Sequence, residues 1–455
     1  MDSPSAIADR NTRAFVVFRV FFNARFYYPV FAVIYLQFGM TLEQFAMLNS
    51  IWAATIVLAE VPSGALADLV GRKRLVVFAG LLMVCEMAVW SWAPVNDLDL
   101  LFQLLAVNRV LSGLAEAAAS GADEALAYDS LDAAGRAGEW PDVLQTLTRW
   151  QSTTFVFALI IGGLVYDPAI MQQLVDWLGF DVRLTQEITM RWPIFLNLGT
   201  SLVVLAATLR MHECAHPERA AETRDITITG AFRQVWSVAG WIRATPLALM
   251  IILAAAFLDS VMRMFVTMNS EYFRLLGYPS AAFGLIGAGT AVVNFFAVGG
   301  ARRLVERHHA GRCFLVAGCV ALTALTGIRF FVPYAGVVFT WLLFTGLMMN
   351  GFMVSHYLNR LATARDRATL LSFKGLALNL AYGGIGILYA LLVARLRQDP
   401  QLAQDGDQLF RSAANWFPMW FLAGSAMLWG AQAVVRAPFN RLKNEGVELG
   451  KTNAN

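Results

Sequence analysis

Apolar runs about one membrane thick, separated by short polar turns, recur from one end of the chain to the other. A membrane-spanning helix needs about 20 mostly apolar residues. Windows of that kind fall near 15–37, 43–67, 75–94, 100–127, 146–166 and 192–210, then near 246–269, 281–300, 313–332, 336–357, 370–394 and 414–435. They predict twelve transmembrane helices, numbered one to twelve in chain order. The longest polar stretch separates them six and six. The expected organisation is an N-terminal six-helix half over 1–210, a linker over 211–245 and a C-terminal six-helix half over 246–455.

The two halves echo each other. "YLQFGMTLEQFAML" from Tyr35 matches "YFRLLGYPSAAFGLI" from Tyr272, with Gly39 to Phe45 spaced as Gly277 to Phe283. Tyr128 to Arg136 after helix four recurs as Tyr357 to Arg365 after helix ten. Matches at corresponding places suggest duplication, as in transporters built from parallel repeats. The expected fold class is an all-α membrane protein of two pseudo-symmetric halves.

Composition agrees. Of 455 residues, 58% are hydrophobic and 15% charged, with a mean hydropathy of +0.55, whereas soluble domains carry roughly 25% charge. A net charge of +3 gives no reason to expect a nucleic-acid partner. The turns on the N-terminal side hold 22 Lys and Arg against 7 on the other side. By the positive-inside rule both termini are cytoplasmic. The four cysteines, at 85, 214, 313 and 319, lack metal spacing and read as reduced packing residues. No metal or cofactor is expected.

Between helices two and three lies "GALADLVGRKR". It resembles the signature of the major facilitator superfamily, matched by Gly64, Leu66, Asp68, Gly71, Arg72 and Lys73, with Leu69 in place of the usual basic residue. A second family pattern, R-x-x-x-G on helix four, appears as Arg109 to Gly113. The resemblance implies a monomeric transporter of the bacterial inner membrane that needs no cofactor. In it, Gly64, Asp68, Gly71, Arg72 and Lys73, with Asp129 at the foot of helix four, form a clamp between the halves. Asp68 is suited to accept backbone N–H groups at the start of a neighbouring helix, where the dipole favours an anion. "EVPSG" and "RATLLSFKGLALNL" resemble a bacterial efflux branch. Helix five has Gly162-Gly163 without the proline common in drug–proton antiporters, and helix one has Arg19 and Arg25 where many multidrug members carry an acid.

Ionisable groups in a membrane cost roughly 2.5–3.5 kcal/mol or more and are functional candidates by default. On helix four, Arg109, Ser112, Gly113, Glu116, Ser120 and Asp123 form one stripe at helical spacing. Helix seven supplies Asp259 and Arg263 at i,i+4. Arg25 on helix one, Glu60 on helix two and Asn350 on helix ten complete the expected cavity and coupling set. Arg149 is the expected partner of Asp123 or Asp129. Glu86 sits on helix three, usually peripheral, and is read as structural. The plainer use of all these ions is to cancel one another's burial cost. Methionines 262, 264, 268, 348, 349 and 353 read as packing residues.

The function expected is secondary transport, as proton-coupled export of a small amphipathic compound. Import or facilitated passage of a polar metabolite is the alternative. A membrane-bound transferase is the third reading, and the five histidines, 212, 216, 308, 309 and 356, give it no catalytic cluster.

Overall fold

In the computed structural model residues 3–213, 230, 240, 242, 245–361 and 367–444 are described, and among them every regular element is helical. Helix one is Pro4–Asn23 continued by Phe31–Gln37, helix two Leu42–Val70, helix three Arg72–Ser91, helix four Leu98–Ala119 continued by Ala122–Ala133, helix five Trp140–Tyr166 and helix six Trp192–Arg210. Helix seven is Pro246–Thr267 continued by Asn269–Leu275, helix eight Ser280–Arg307, helix nine Ala310–Ile328, helix ten Val337–Leu361, helix eleven Arg367–Leu396 and helix twelve Trp416–Asn444. Ten of these are apolar and long enough to cross a membrane by themselves, an eleventh with the bent pair Ala137–Tyr166 and Pro168–Trp177. The chain is a multi-pass membrane protein.

Local chemistry sets the boundaries. Thr41 and Gln44 form a reciprocal capping box at the start of helix two. The Asp97 side chain caps helix four by accepting from Leu100 N–H. Gly121, at φ 76°, breaks helix four. Gly39 and Gly277 stand at φ 98° and 88° just after the short second segments of helices one and seven, and Tyr35 and Tyr272 are both buried. The echo seen in the sequence is thus one repeated turn geometry that only glycine adopts without strain.

The helix pairing repeats as well. Helix one packs against four, five and six, and helix seven against ten, eleven and twelve. Two packs on four and eight on ten; three packs on four and six, and nine on ten and twelve. The halves meet through two against eleven and five against eight. The linker expected over 211–245 falls almost wholly outside the described residues, as does Arg365.

Among the described residues, hydrogen bonds joining the halves gather at the end of the bundle away from the N-terminus. There Arg397 binds Glu43, Ser50 Oγ donates to the Gly383 carbonyl at 3.0 Å, and Ala281 N–H donates to Asp167 Oδ2 at 3.1 Å. Toward the other end, Trp150 and Phe157 on helix five and Phe295 and Phe296 on helix eight are exposed.

Candidate functional site

Helix one is interrupted at Ala24–Val30, where the backbone forms a 3₁₀ turn around Pro29. A break at membrane depth must find other partners for its freed polar groups. The buried amide of Asn197 on helix six supplies them. Its Oδ1 accepts from Phe26 N–H at 2.8 Å and its Nδ2 donates to the Ala24 carbonyl at 2.9 Å. Helix five can lie against this break because residue 162 is glycine; a Cβ there would collide with the Phe26 carbonyl. The interruption turns Arg25, Tyr27 and Tyr28 into a cavity of about 500 Å³ between the halves.

Four ions meet at the cavity wall on the N-terminal side. Arg25 Nη1 lies 3.6 Å from Glu86 Oε2, and Arg25 Nη2 lies 3.7 Å from Glu116 Oε1. Arg109 Nη2 lies 4.0 Å from Glu86 Oε1. Two guanidinium groups and two carboxylates sum to zero, as burial in a low dielectric demands. Arg25 and Glu86 are buried, while the Glu116 side chain is 34% exposed and faces the cavity. Arg109 is held from behind by Asn108 Oδ1, at 3.1 and 2.9 Å, and from the sides by the rings of Phe31, Tyr35 and Trp90. Asn108 is itself fixed by donating to the Glu86 carbonyl at 2.8 Å.

On the opposite wall Arg263 pairs with Asp259, among the described residues with no second acid, and donates to Asn379 Oδ1 at 3.0 Å with its charge over the Tyr382 ring. Arg263, Thr267, Ser270 and Tyr382 line the cavity. Ser270 Oγ also accepts from Ala32 and Val33 N–H groups, at 3.0 and 3.1 Å, so helix seven seals the second segment of helix one.

Of the residues singled out in the sequence, Arg25, Arg109, Glu116 and Arg263 border the cavity, and Asp259 stands behind Arg263. Three others lie away from it. Asp123 is buried against Arg19, because the break at Gly121 takes it off the helix-four stripe. Asn350 is buried and donates to the Ala255 carbonyl at 3.0 Å, a tie between helices ten and seven. Glu60 faces the seam with helix eleven near Gly375. Arg149 is exposed, and the partners expected for it are taken: Asp123 by Arg19 and Asp129 by Arg72. Met262, Met264, Met268 and Met353 sit in the core.

Glu86 is the residue the sequence undervalued. A carboxylate amid twenty mostly apolar residues was the available signal. Asn108 and Asn197 gave less, since a buried amide looks the same in sequence whether or not it supports a site.

At the turn between helices two and three, Arg72 pairs with Asp129, a contact within the N-terminal half. The Asp68 side chain lies outside the described residues. Among the described residues, an anion at the start of helix three is Glu213, which follows helix six and accepts from the N–H groups of Arg72 and Lys73 at 3.2 and 2.9 Å. Gly71, at φ 101°, makes the corner, whereas a Cβ on Gly64 would meet nothing within 4 Å.

The family model of the Major Facilitator Superfamily matches residues 13–390, and the chain belongs to that superfamily. It is a transporter and not an enzyme. No curated protein matches the sequence. Among solved structures, the nucleoside transporter NupG is similar at 10% identity with a TM-score of 0.68, over 93% of this chain and 98% of its own. A bacterial homologue of the human lysosomal transporter Spinster, inward-facing and unoccupied, is similar at 15% identity with a TM-score of 0.64, over 94% and 97%. A D-xylose–proton symporter is similar at 11% identity with a TM-score of 0.61, over 90% and 96%. At such identities these likenesses speak for the fold.

Proposed function

We propose that this member of the Major Facilitator Superfamily is a proton-coupled secondary transporter that moves a small amphipathic compound by alternating access. The observation that carries the reading is Glu116, a carboxylate that touches both the cavity and a buried ion cluster. Such a group can exchange a proton with the cavity, and the cluster around it must readjust when it does. Aromatic walls, among them Tyr28, Phe31, Trp52 and Tyr382, suit the apolar part of a ligand.

The charge bias of the turns supports placing both termini in the cytoplasm, and the family resemblance supports a monomer in a bacterial inner membrane. The closed end then faces outward, and the conformation is the inward-facing one. Export is the direction supported by the efflux-like sequence segments. Import with protons is the second reading, and the Arg25–Glu116 pair favours it, because a proton that frees Arg25 prepares the site for an anion.

The test is proton flux into liposomes holding the purified chain, followed with an internal pH dye as candidate compounds are added. Wild-type chain is expected to couple compound and proton movement, and Glu116→Gln to abolish the coupling. Glu116→Gln with normal rate and unchanged pH dependence would shift the proton site to Asp259 or Glu60.

A further inference from the structure

We propose that the cavity's ligand is an organic monoanion with a flat apolar body, bound by Arg25 in company with a proton on Glu116. The inference rests on the transporter reading in its second form, import with protons, and names its substrate class and coupling sign.

Charge balance decides the class. Arg25 and Arg109 are matched by Glu86 and Glu116. Among the described residues a cationic ligand would find no spare carboxylate at the cavity, because Glu116 already answers Arg25 and Asp259 answers Arg263. An anionic ligand finds none of the four groups free either, until Glu116 takes a proton. The cluster then carries one uncompensated positive charge in a dry setting, which is costly. An anion at the cavity-side arm of Arg25 restores the balance. Proton and anion therefore bind together, and the chain carries them in the same direction.

The geometry permits this exchange of partners. No contact within the cluster is shorter than 3.6 Å, beyond hydrogen-bond range. Arg25 is thus held by charge, with donors left to offer: among the described residues its buried Nη1 has no hydrogen-bond partner, and neither has either Glu86 carboxylate oxygen. A guanidinium fork matches a two-oxygen anion. Nη1 can stay on Glu86 while Nη2 passes from Glu116 to the ligand.

The charged and titratable groups around Glu116 are Arg19, Arg25 and Tyr28 from helix one, Glu86 from helix three, and Asp123 and Arg109 along helix four. Arg19 is taken by Asp123, and Arg109 faces Glu86, so Arg25 is the partner a proton on Glu116 would release. Tyr28, Phe31 and Tyr382 offer flat faces within a volume suited to a small ligand, roughly 300–1,000 Å³.

Equilibrium binding of tritiated naphthoate to the purified full chain in lipid nanodiscs tests this, with naphthylmethylammonium as the matched cation. Naphthoate is expected to bind, and more tightly at mildly acidic than at mildly alkaline pH. Glu116→Gln should bind it about tenfold more tightly at alkaline pH and flatten the profile, a gain that misfolding cannot produce. The charge-balanced pair Arg25→Gln with Glu86→Gln should stay monodisperse and lose naphthoate about tenfold or more. Failure of naphthoate to bind, or weaker binding by Glu116→Gln, overturns the proposal. So does binding of the cation that falls with acid and vanishes in Glu116→Gln, a result that leaves the transporter reading standing. Whether the chain transports at all is read separately, from the proton flux.

Discussion

Arg397, at the end of helix eleven, grips Glu43, at the start of helix two, with Nε to Oε1 at 2.6 Å and Nη2 to Oε2 at 2.9 Å. The contact spans the two halves, and hydrogen bonding to the carboxylate raises the guanidinium above its ordinary pKa. Arg397 is partly exposed, which limits such a pair to about 1 kcal/mol or less. Arg397→Ala is therefore expected to shift the population toward opening at this end by at most about fivefold. Labelling of a cysteine placed at Thr267 by an impermeant maleimide added from this side reads the shift. The charge swap Glu43→Arg with Arg397→Glu should restore the wild-type rate; equal labelling in all three proteins would remove the pair from the gate.

Gly284 on helix eight lets helix five approach so closely that an added Cβ would collide with the Leu159 carbonyl. Backbone cannot yield as a side-chain tip can, so overpacking here costs roughly 1–3 kcal/mol or more. Gly284→Ala is expected to disfavour the conformation closed at this end by about tenfold. Distances between spin labels on the two halves should show the loss, and an unchanged distribution would mean that helices five and eight separate by another route.

Glu86 answers two arginines and faces no solvent. Removing one partner of a buried charge cluster costs about 3–5 kcal/mol. Glu86→Gln should lower the thermal unfolding midpoint markedly, whereas Glu116→Gln, whose side chain is partly open to the cavity, should lower it less and spoil coupling. A thermal scan of both variants in one detergent decides this; equal midpoints would place Glu86 outside the structural role.

Arg72 and Asp129 tie the turn after helix two to the foot of helix four. Under the clamp reading, Asp129→Asn and Asp68→Ala should each insert normally and slow transport at least tenfold by unbalancing the two conformations. Normal transport by both, with normal accessibility of cavity cysteines from either side, would leave these residues a purely topological role.

Some of the site was readable before any coordinates. Arg109 and Glu116 stood out because a charge in an apolar helix needs a reason, and both border the cavity. Their partners were not readable. Arg109 and Glu116 share one stripe of helix four, yet each pairs across to another helix. Asp123 left the stripe at Gly121, whose backbone turn re-aims everything after it. Asn350 was misplaced because one face of helix ten turns to helix seven, and a single helix does not announce which face that is.

What the sequence determined by itself is local in cause. An apolar run of membrane length must satisfy its own backbone, so it is helical. Repeated runs, a repeated glycine turn and the family signature then set an all-α membrane bundle of two like halves. Which ions meet, where helix one opens and which end of the seam closes were decided only by tertiary structure. Arg25 finds Glu86 and Glu116 because Asn197 on helix six holds the break in helix one and Gly162 on helix five makes room for it. Such contacts depend on the rotation and depth of each helix against its neighbours. That is settled by the summed packing of several helices at once, and no single stretch of sequence contains it.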